Sequence, residues 1–349
     1  MNAGPPGTMA TAKAPPIAES LTQWARDHYG SAALVRGIRR LPGHSGITYS
    51  FDIEHESLHE GLILRVPPIG VRHKNNLDVL RLAPALNLAA GCGVPVPAVR
   101  WHSADERWFG TPYLMVERVA GQTLPDIFDA KAGPFPDRHT VGKLFRQALK
   151  ALADIHHLDV RPLLEDHWAA PLGVQEDIDQ WLPLLHKSES ESEIRHTLEL
   201  RKKLLATAPA DDTIALVHGD FYSNNWMFHE ELLTAILDWE NTTLNRPMWD
   251  LGWLATIYDP ECWAPGRSAT MGWNPRPEDF YKWYEEAGGA PVRNPHWYHA
   301  LMCYRLASIT PSKVRLHRSG RRLDPVWEVF AEAIPFQLEK AFALLDNRS

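Results

Sequence analysis

The sequence contains little cysteine and no long apolar run. Its three cysteines, Cys92, Cys262 and Cys303, lie far apart and do not form the close pairs typical of zinc-binding sequences. We therefore interpret them as reduced, buried thiols of a cytoplasmic protein. No apolar stretch approaches the ~20 residues that a membrane-spanning helix needs. The sequence thus predicts neither a cysteine metal site nor a membrane span.

The sequence also lacks an excess of positive charge. Its 349 residues include 36 Lys and Arg against 43 Asp and Glu, a formal net charge of −7. Nucleic-acid-binding proteins usually present a basic face, so no nucleic-acid partner is expected. The composition, 44% hydrophobic and 23% charged, is typical of a globular protein with enough chain for two lobes. Residues 1–16 are rich in Pro, Gly and Ala, and we expect them to form a disordered tail.

What the sequence does contain is a closely spaced set of polar residues in its second half. Asp220 ends the triplet His218-Gly219-Asp220, Asn225 follows it after five residues, and Asp238 follows it after eighteen. A phosphoryl-transfer site needs one carboxylate beside the acceptor hydroxyl, and an Asn and an Asp that hold magnesium on the nucleotide. Magnesium prefers oxygen ligands, which Asp and Asn supply. The spacing therefore indicates a kinase active site.

The local pattern predicts a structure that brings these residues together. The apolar run 214–217 is typical of a buried strand that delivers Asp220 into a loop. Residues 226–228 and 233–237 flank a polar turn and predict a hairpin, with Asn225 at its entry and Asp238 at its exit. Taken singly, Asp220 is equally typical of a turn cap, and Asn225 of a surface amide. Their joint spacing favours the catalytic interpretation.

These residues resemble the aminoglycoside phosphotransferase and choline kinase family, small-molecule kinases with a protein-kinase-like fold. The resemblance implies that Asp220 is the catalytic base and that Asn225 and Asp238 bind the metal. It also matches Asp250 to an aspartate that steadies the catalytic loop from the next helix. An ordinary helix N-cap is the alternative explanation for Asp250. His156 matches a further family position, and we interpret it as a buried structural histidine.

The chain departs from true protein kinases at three places. Gly219 replaces the Arg of the HRD motif, Trp239-Glu240 replaces the Phe-Gly of DFG, and no APE segment follows. A protein substrate is therefore not expected. His218 is interpreted as a hydrogen-bonded scaffold residue rather than an acid or a base.

The resemblance places the nucleotide-binding residues earlier in the chain. A loop of four residues precedes a predicted strand and is expected to cover the ATP phosphates: Gly43, His44, Ser45 and Gly46. Two glycines three apart are also typical of a plain turn. Arg65, in the predicted strand 61–68, takes the place of the usual phosphate-binding lysine and is expected to act in catalysis. Some branches carry this arginine, including those that resemble the kinase-like domains fused to acyl-CoA dehydrogenases. The alternative is an exposed arginine on an edge strand.

The family's inter-lobe hinge falls on Val116, Glu117 and Arg118, where backbone groups would hold adenine. A buried strand followed by a turn is the alternative explanation. A carboxylate that pairs with the cation of Arg65 is expected on the next helix. The segment 75–88 offers only Asp78 and is interrupted by a proline, so the partner of Arg65 stays open.

The sequence therefore predicts an α+β, protein-kinase-like fold with two lobes. Residues 17–115 are expected to form a small nucleotide-binding lobe with an antiparallel sheet. Residues 116–349 are expected to form a larger, mainly helical lobe for catalysis and substrate binding. The predicted function is transfer of the γ-phosphate of ATP, held by Mg²⁺, to a hydroxyl of a small molecule. The sequence does not distinguish ATP from GTP and does not give the oligomeric state.

Two features bear on the acceptor. Nine of the fourteen tryptophans lie from Trp226 onward, and an aromatic-walled pocket would suit an apolar or ring-bearing alcohol, although most tryptophans are core residues. The segment from Arg305 to Arg322 is basic, which disfavours a polycationic aminoglycoside unless the segment is a solvated face. The alternatives are a kinase of a polar metabolite or of an aminoglycoside-type antibiotic, and a nucleotide-binding module without turnover.

Overall fold

The structure, a computed structural model, describes residues 17–41, 46–69, 77–125, 127–128, 136–165, 168–211, 213–266 and 275–346. The expected tail, 1–16, and the predicted phosphate-loop residues Gly43, His44 and Ser45 lie outside the described residues. The described chain forms two compact units. The first unit contains residues 17–83 and Ala98–Arg118, and the second contains Pro84–Pro97 and the residues from Val119 onward.

The strands are short and concentrated in the first third of the chain. In chain order they are β1 (Leu34–Leu41), β2 (Ile47–His55), β3 (Leu58–Val66), β4 (Val99–Ser103), β5 (Tyr113–Glu117), β6 (Gln122–Thr123), β7 (Ala215–Val217), β8 (Trp226–His229), β9 (Leu232–Ile236) and β10 (Thr243–Asn245).

The helices dominate the rest of the chain. They are α1 (Ile17–Tyr29), α2 (Leu82–Gly91), α3 (Arg138–His156), α4 (Arg161–Glu165), α5 (Val174–Asp179), α6 (Leu182–Leu185), α7 (Glu191–Ala206), α8 (Met248–Tyr258), α9 (Pro277–Glu286), α10 (Pro295–Arg318) and α11 (Val326–Asp346).

The first unit is built on a five-stranded antiparallel sheet in the order β1-β2-β3-β5-β4. The helix α1 packs its apolar stripe, Leu21 and Trp24, against sheet residues that include Phe51 and Leu62, and all four side chains are fully buried. The indole Nε1 of Trp24 donates a hydrogen bond to Tyr113 Oη at 2.9 Å, so the buried polar atom has a partner. This unit confirms the antiparallel sheet predicted from the alternating residues after position 46.

The second unit is mainly helical, as predicted. Its strands form two small sheets, one with the order β6-β8-β9 and one that pairs β7 with β10. The helix α3 begins at the N-cap Asp137, whose carboxylate accepts the backbone N–H groups of His139 and Thr140. The apolar face predicted for this helix is buried, and the helix ends at His156 as expected.

Three details differ from the sequence-based expectations. The polar strand β1 was not predicted, because an edge strand with arginines lacks the alternation that marks a half-buried strand. The helix expected at 75–88 is α2, which begins at Leu82 and contains Pro84 in its first turn, where a proline is tolerated. Asp78 precedes this helix and accepts the N–H of Leu80 at 3.2 Å. The segment Pro84–Pro97 belongs to the second unit, although it lies inside the predicted first lobe.

The expectation of buried thiols is confirmed for Cys262 and Cys303 and is wrong for Cys92. Cys92 is exposed, because it follows α2 in a turn with a glycine on either side. Cys262 and Cys303 are buried, and their sulfur atoms lie 3.7 Å apart although 41 residues separate them in the chain. Among the described residues, no helix is long and apolar enough to cross a membrane.

The helices α8 and α10 approach each other closely at Gly252. A Cβ atom added there would lie 2.5 Å from the backbone oxygen of Tyr298, on the facing helix. One turn further along α8, Thr256 Oγ1 donates to the carbonyl of Gly252 at 2.9 Å. A glycine is therefore needed here because the facing group is backbone, which cannot rotate out of the way.

This contact predicts opposite effects for two Gly→Ala substitutions in helices. Gly252→Ala is expected to destabilise the protein by about 1–3 kcal/mol, because overpacking has to move a backbone segment. Gly142→Ala, in α3, adds a Cβ with nothing within 4 Å and is the matched control. The control is expected to stabilise by about 1 kcal/mol through helix propensity. Thermal unfolding of both variants checks this, and equal shifts would contradict the close approach of the two helices.

Candidate active site

The strand β7 leads into residues 218–220, the predicted catalytic loop that carries Asp220. Its three residues are buried, and it pairs antiparallel with β10, with Val217 opposite Thr243. Thr242 Oγ1 donates to the carbonyl of Val217 at 2.7 Å, which fixes the end of the strand. The chain then turns through His218 and Gly219 to Asp220. The predicted strand and loop are therefore confirmed.

Gly219 occupies a position that no other residue fits. Its φ is +79°, in the left-handed region that favours glycine. A Cβ atom there would lie 2.4 Å from the backbone oxygen of Asn241. The glycine that takes the place of the protein-kinase arginine thus allows the catalytic loop to approach the segment after β9.

The carboxylate of Asp250 holds the catalytic loop. It lies in the first turn of α8, is fully buried, and accepts the backbone N–H groups of His218 and Gly219, both at 2.8 Å. Its Oδ2 also lies 3.1 Å from His156 Nε2, and His156 Nδ1 lies 2.9 Å from Tyr284 Oη. Asp250 therefore caps the catalytic loop rather than its own helix, whose N-cap is Pro247.

The electrostatics of this network favour an ionised Asp250. Burial alone would raise the pKa of the Asp250 carboxyl, but the hydrogen bond and the charge of His156, together with His218 and the N–H of Gly219, outweigh burial and lower the pKa below its usual value. His156, which ends α3, is thus a structural histidine of the kind expected from the sequence. It joins α3 to the first turn of α8.

His218 connects the catalytic loop to the hairpin β8–β9. Its Nε2 lies 2.8 Å from the carbonyl of Leu237, and its Nδ1 accepts the N–H of Asp220 at 3.3 Å. Burial lowers the pKa of His218, which favours the neutral ring that these two bonds require. The N–H of Leu237 donates to the carbonyl of Asn225 at 2.7 Å. His218 is a scaffold residue, and its contacts place the two ends of the hairpin beside Asp220.

The hairpin places Asn225 and Asp238 at the same end, as predicted. Asn225 closes a short 3₁₀ turn before β8, and its Nδ2 donates to the Asp220 carbonyl at 2.8 Å and lies 3.4 Å from Asp220 Oδ2. The amide nitrogen is therefore engaged, and the amide oxygen is the atom that can bind a cation. Asp238 follows β9 with φ 58° and ψ 60°, a left-handed conformation that Asp tolerates better than most residues.

Negative charge is concentrated at this end of the hairpin. The pKa of the Asp220 carboxyl is raised to about 7, chiefly by burial and then by the neighbouring Asp238 carboxylate, while the Arg305 guanidinium opposes the shift. The Glu240 carboxylate also raises the pKa of Asp220 through its negative charge. A divalent cation would relieve this repulsion, and the oxygen atoms of Asn225 and Asp238 suit magnesium. The donor set and its charge therefore fit the predicted metal.

Arg305 contacts the catalytic loop from α10, a role that the sequence analysis did not assign to it. Its Nη1 donates to the carbonyl of Gly219 at 3.0 Å. The guanidinium lies 4.5 to 5.3 Å from three indole rings, those of Trp249, Trp253 and Trp181. Only 6% of Arg305 is exposed, so it does not belong to a solvated basic face. A single arginine within an otherwise apolar stretch of helix was the sequence signal that could have identified it.

The predicted nucleotide-binding residues that the structure describes lie in the first unit. Arg65 lies on β3, which is the middle strand of the five-stranded sheet, so the edge-strand alternative is wrong. It is half-buried and alternates with the buried Leu64 and Val66, which places it on the face opposite the α1 core. Gly46 precedes β2, where a Cβ atom would lie 3.2 Å from the backbone oxygen of Val66.

The predicted hinge residues end β5 and already make contacts within the first unit. Val116 pairs with Ile63 of β3. The N–H of Glu117 donates to the carbonyl of Ala98 and that of Arg118 to Gly61, at 2.9 and 2.8 Å. The guanidinium of Arg118 also forms an ion pair with Asp52. An adenine ring at this segment therefore has to use backbone groups other than these two N–H groups.

Known structures and sequences resemble this chain over most of its length. The structure of a Ralstonia eutropha protein named as an aminoglycoside phosphotransferase has a TM-score of 0.73 at 24% identity, covering 94% of this chain and 98% of that one. A mutant of the aminoglycoside phosphotransferase APH(4)-Ia, in complex with ADP and hygromycin B, has a TM-score of 0.59 at 15% identity, covering 95% and 99%. These similarities establish the protein-kinase-like fold that the sequence predicted.

Among curated sequences, acyl-CoA dehydrogenase family member 11 of Gallus gallus is 25% identical over 301 residues, 82% of this chain and 38% of that protein. The chain thus spans about a third of the length of the curated relatives it matches. The predicted resemblance to the kinase-like domains of such proteins is confirmed. A sequence model described as the phosphotransferase enzyme family matches residues 38–281, which is well over half of the chain. The chain therefore belongs to the phosphotransferase enzyme family.

Proposed function

We propose that this protein is a small-molecule kinase that transfers the γ-phosphate of ATP to a hydroxyl group. The observation that supports this most directly is the arrangement of Asp220, Asn225 and Asp238 around one loop, held by the buried carboxylate of Asp250. The spacing of the three residues in the sequence and the contact between Asn225 and Asp220 support the proposal. The family and the fold are those of phosphotransferases.

In this proposal Asp220 orients the acceptor hydroxyl and takes its proton. Its raised pKa, about 7, describes the protein without a cation and matches a group that can exchange a proton near neutral pH. Asn225 and Asp238 would hold magnesium, which when bound neutralises charge on the transferring phosphate. Placement and charge neutralisation contribute more to phosphoryl transfer than deprotonation does. The rigid hydrogen bonds of the loop provide that placement.

Nucleotide binding is proposed for Arg65, Gly46 and the segment Val116–Arg118 in the first unit. The planar guanidinium of Arg65 can bind two phosphate oxygens at once, which suits an α/β-phosphate contact. The ADP in the complex of the structurally similar APH(4)-Ia mutant supports a nucleotide in this role. Neither the contacts nor the fold favours ATP over GTP.

For the acceptor we propose a small alcohol, and the apolar or ring character expected from the tryptophans loses part of its support. Trp249 and Trp253 are buried and stack on Arg305, so they do not form a wall of an acceptor pocket. Hygromycin B in APH(4)-Ia keeps an aminoglycoside acceptor as the alternative. The polar-metabolite alternative and the non-catalytic module also stay open. The complete set of Asp220, Asn225 and Asp238 favours turnover over the last of these.

Replacement of Asp220 tests the transfer of the phosphate group. Asp220→Asn keeps the size and the contact with Asn225 but cannot accept a proton, so transfer is expected to fall by about 10²–10⁴-fold. The measurement is acceptor-stimulated release of ADP against a panel of macrolides, hydroxylated lipids, aminoglycosides, choline and sugars. Nucleotide affinity, measured by calorimetry, should stay within about threefold of the wild-type value, which is a difference of less than 1 kcal/mol in binding free energy. Glu231→Gln, an exposed residue of the hairpin turn, is the control and should be fully active. Undiminished turnover in Asp220→Asn would remove Asp220 from the mechanism.

Replacement of Asp238 tests the proposed magnesium ligand. Asp238→Asn retains a residue that tolerates the left-handed backbone at this position, but removes one negative charge from the metal site. We expect the gain in ADP affinity that Mg²⁺ produces to fall at least tenfold, about 1.4 kcal/mol. Calorimetric titration with ADP in the presence of Mg²⁺ and of EDTA measures this gain. Affinities that respond to Mg²⁺ as in the wild-type protein would exclude Asp238 as a ligand.

Replacement of Asp250 tests the residue that anchors the catalytic loop. Asp250→Asn replaces an acceptor by an amide that cannot serve all its donors, which is expected to destabilise the protein by about 1–3 kcal/mol. The lowered pKa of Asp250 means that its contribution is present above the unfolded pKa of about 4 and is lost as the pH falls through the folded value. The loss should therefore be present at both pH 6 and pH 8.

Asp154→Asn, two residues before His156 in α3, is the control for the loop anchor. Asp154 forms an exposed ion pair with Lys150, and its loss should cost less than about 1 kcal/mol. Chemical and thermal unfolding of both variants provide the comparison. A loss for Asp250→Asn no larger than that for Asp154→Asn would contradict the role of Asp250 as the anchor of the loop.

A further inference from the structure

A second group of ligand-type side chains lies in the second unit, apart from the residues of the proposed phosphotransferase reaction. It consists of Cys262, His299 and Cys303, whose Sγ and Nε2 atoms all lie within 4.8 Å of one another. The side chains are almost completely buried, with exposures of 0%, 2% and 0%. We propose that these three residues bind one Zn²⁺ ion in a structural site, with Asp259 within reach as the fourth ligand. This inference is independent of the proposed kinase activity.

The distances match tetrahedral zinc coordination. Zinc binds sulfur at about 2.3 Å and nitrogen at about 2.0 Å, so tetrahedral geometry puts two sulfur ligands roughly 3.8 Å apart and a sulfur–nitrogen pair roughly 3.5 Å apart. The Sγ atoms of Cys262 and Cys303 are 3.7 Å apart, and Cys262 Sγ lies 3.4 Å from His299 Nε2. Two thiols and one imidazole are a ligand set that zinc prefers.

The fold presents these ligands from two directions. His299 and Cys303 are four residues apart on α10, so their side chains lie on one face of the helix, one turn apart. Cys262 ends the short 3₁₀ turn Pro260–Cys262, which follows α8 directly. The ligand set is therefore assembled by packing and not by a local sequence motif. This explains why the cysteine spacing gave no indication of it.

Asp259 lies close enough to His299 to supply the fourth ligand of a closed site. Its Oδ2 lies 4.0 Å from His299 Nε2 and 2.8 Å from Lys340 Nζ, while its Oδ1 accepts the N–H of Glu261. A ligating carboxylate is typically held by such a second contact. Two thiolates and Zn²⁺ are together neutral, and the Asp259 carboxylate is paired with the Lys340 ammonium, which also contacts the exposed Glu261 at 2.6 Å. Binding converts both thiols to thiolates and releases two protons to solvent.

The position of the cluster suggests what the ion would do. It would tie the C-terminal end of α8 to α10, on the same pair of helices that meet at Gly252. The first turn of α8 carries Asp250, and α10 carries Arg305 two residues after Cys303. Both side chains contact the catalytic loop. A structural zinc would therefore stabilise the two helices that hold this loop, without contacting the nucleotide or the acceptor.

The test is the metal content of the full-length protein, expressed in zinc-supplemented medium and purified without chelator. We expect about one zinc ion per chain by elemental mass spectrometry. Cys92→Ser is the matched control, because Cys92 is the exposed cysteine and lies outside the cluster. It should retain the zinc of the wild-type protein, whereas the double variant Cys262→Ser, Cys303→Ser should contain less than about a tenth of it.

A measurement on the wild-type protein keeps the test valid if the double variant fails to fold. Refolding of the metal-free wild-type chain with Co²⁺ should produce the sulfur-to-cobalt charge-transfer absorption of thiolate ligation, and Cys92→Ser should show the same absorption. Titration of free thiols in the denatured, unreduced chain separates the remaining outcomes. Without metal, one free thiol would identify a Cys262–Cys303 disulfide, and three would identify hydrogen-bonded thiols. Either result with a zinc-free wild-type protein would overturn the proposal, and neither would affect the kinase assignment.

Discussion

The arrangement of the candidate site depends on one buried carboxylate. Asp250 accepts two backbone N–H groups of the loop that precedes Asp220, and it also contacts His156 at the end of α3. A carboxylate without these donors would be costly to bury, and the loop N–H groups would be equally costly without an acceptor. Each group therefore requires the other, and together they define the path of the catalytic loop. The lowered pKa of Asp250 follows from the same contacts.

Arg305 also holds the catalytic loop, through a hydrogen bond to the loop and through its contacts with aromatic rings. Arg305 donates to the carbonyl of Gly219 and is covered by three indole rings, so a buried cation is stabilised by aromatic faces and by nearby carboxylates. Burial lowers the pKa of the Arg305 guanidinium, while Asp220 and other carboxylates oppose that shift. The Asp220 carboxylate thus lies close enough to this fixed cation on α10 for the two charges to interact.

Much of the site could be predicted because its residues are close in sequence. The distance from Asp220 to Asn225 and Asp238 reflects one strand, one loop and one hairpin, and local patterning identifies each of these elements. The strand with Arg65 was also predicted, but its position in the middle of the sheet was not, because strand order depends on pairing between distant segments. The same limit applies to Pro84–Pro97, whose sequence lies within the predicted first lobe and whose contacts lie in the second unit.

The sequence by itself determined the candidate motif of Asp220, Asn225 and Asp238, the strand–loop–hairpin that carries it, and the phosphotransferase family. These follow from short-range spacing, since a turn or a hairpin is specified by neighbouring residues. Only the tertiary structure decided which distant groups complete the site. It brought Arg305 to Gly219 across 86 residues, and Cys262 to Cys303 across 41. Such pairs leave no periodic signal in the sequence, because they depend on how α10 packs against distant segments, among them α8, which meets it at a glycine.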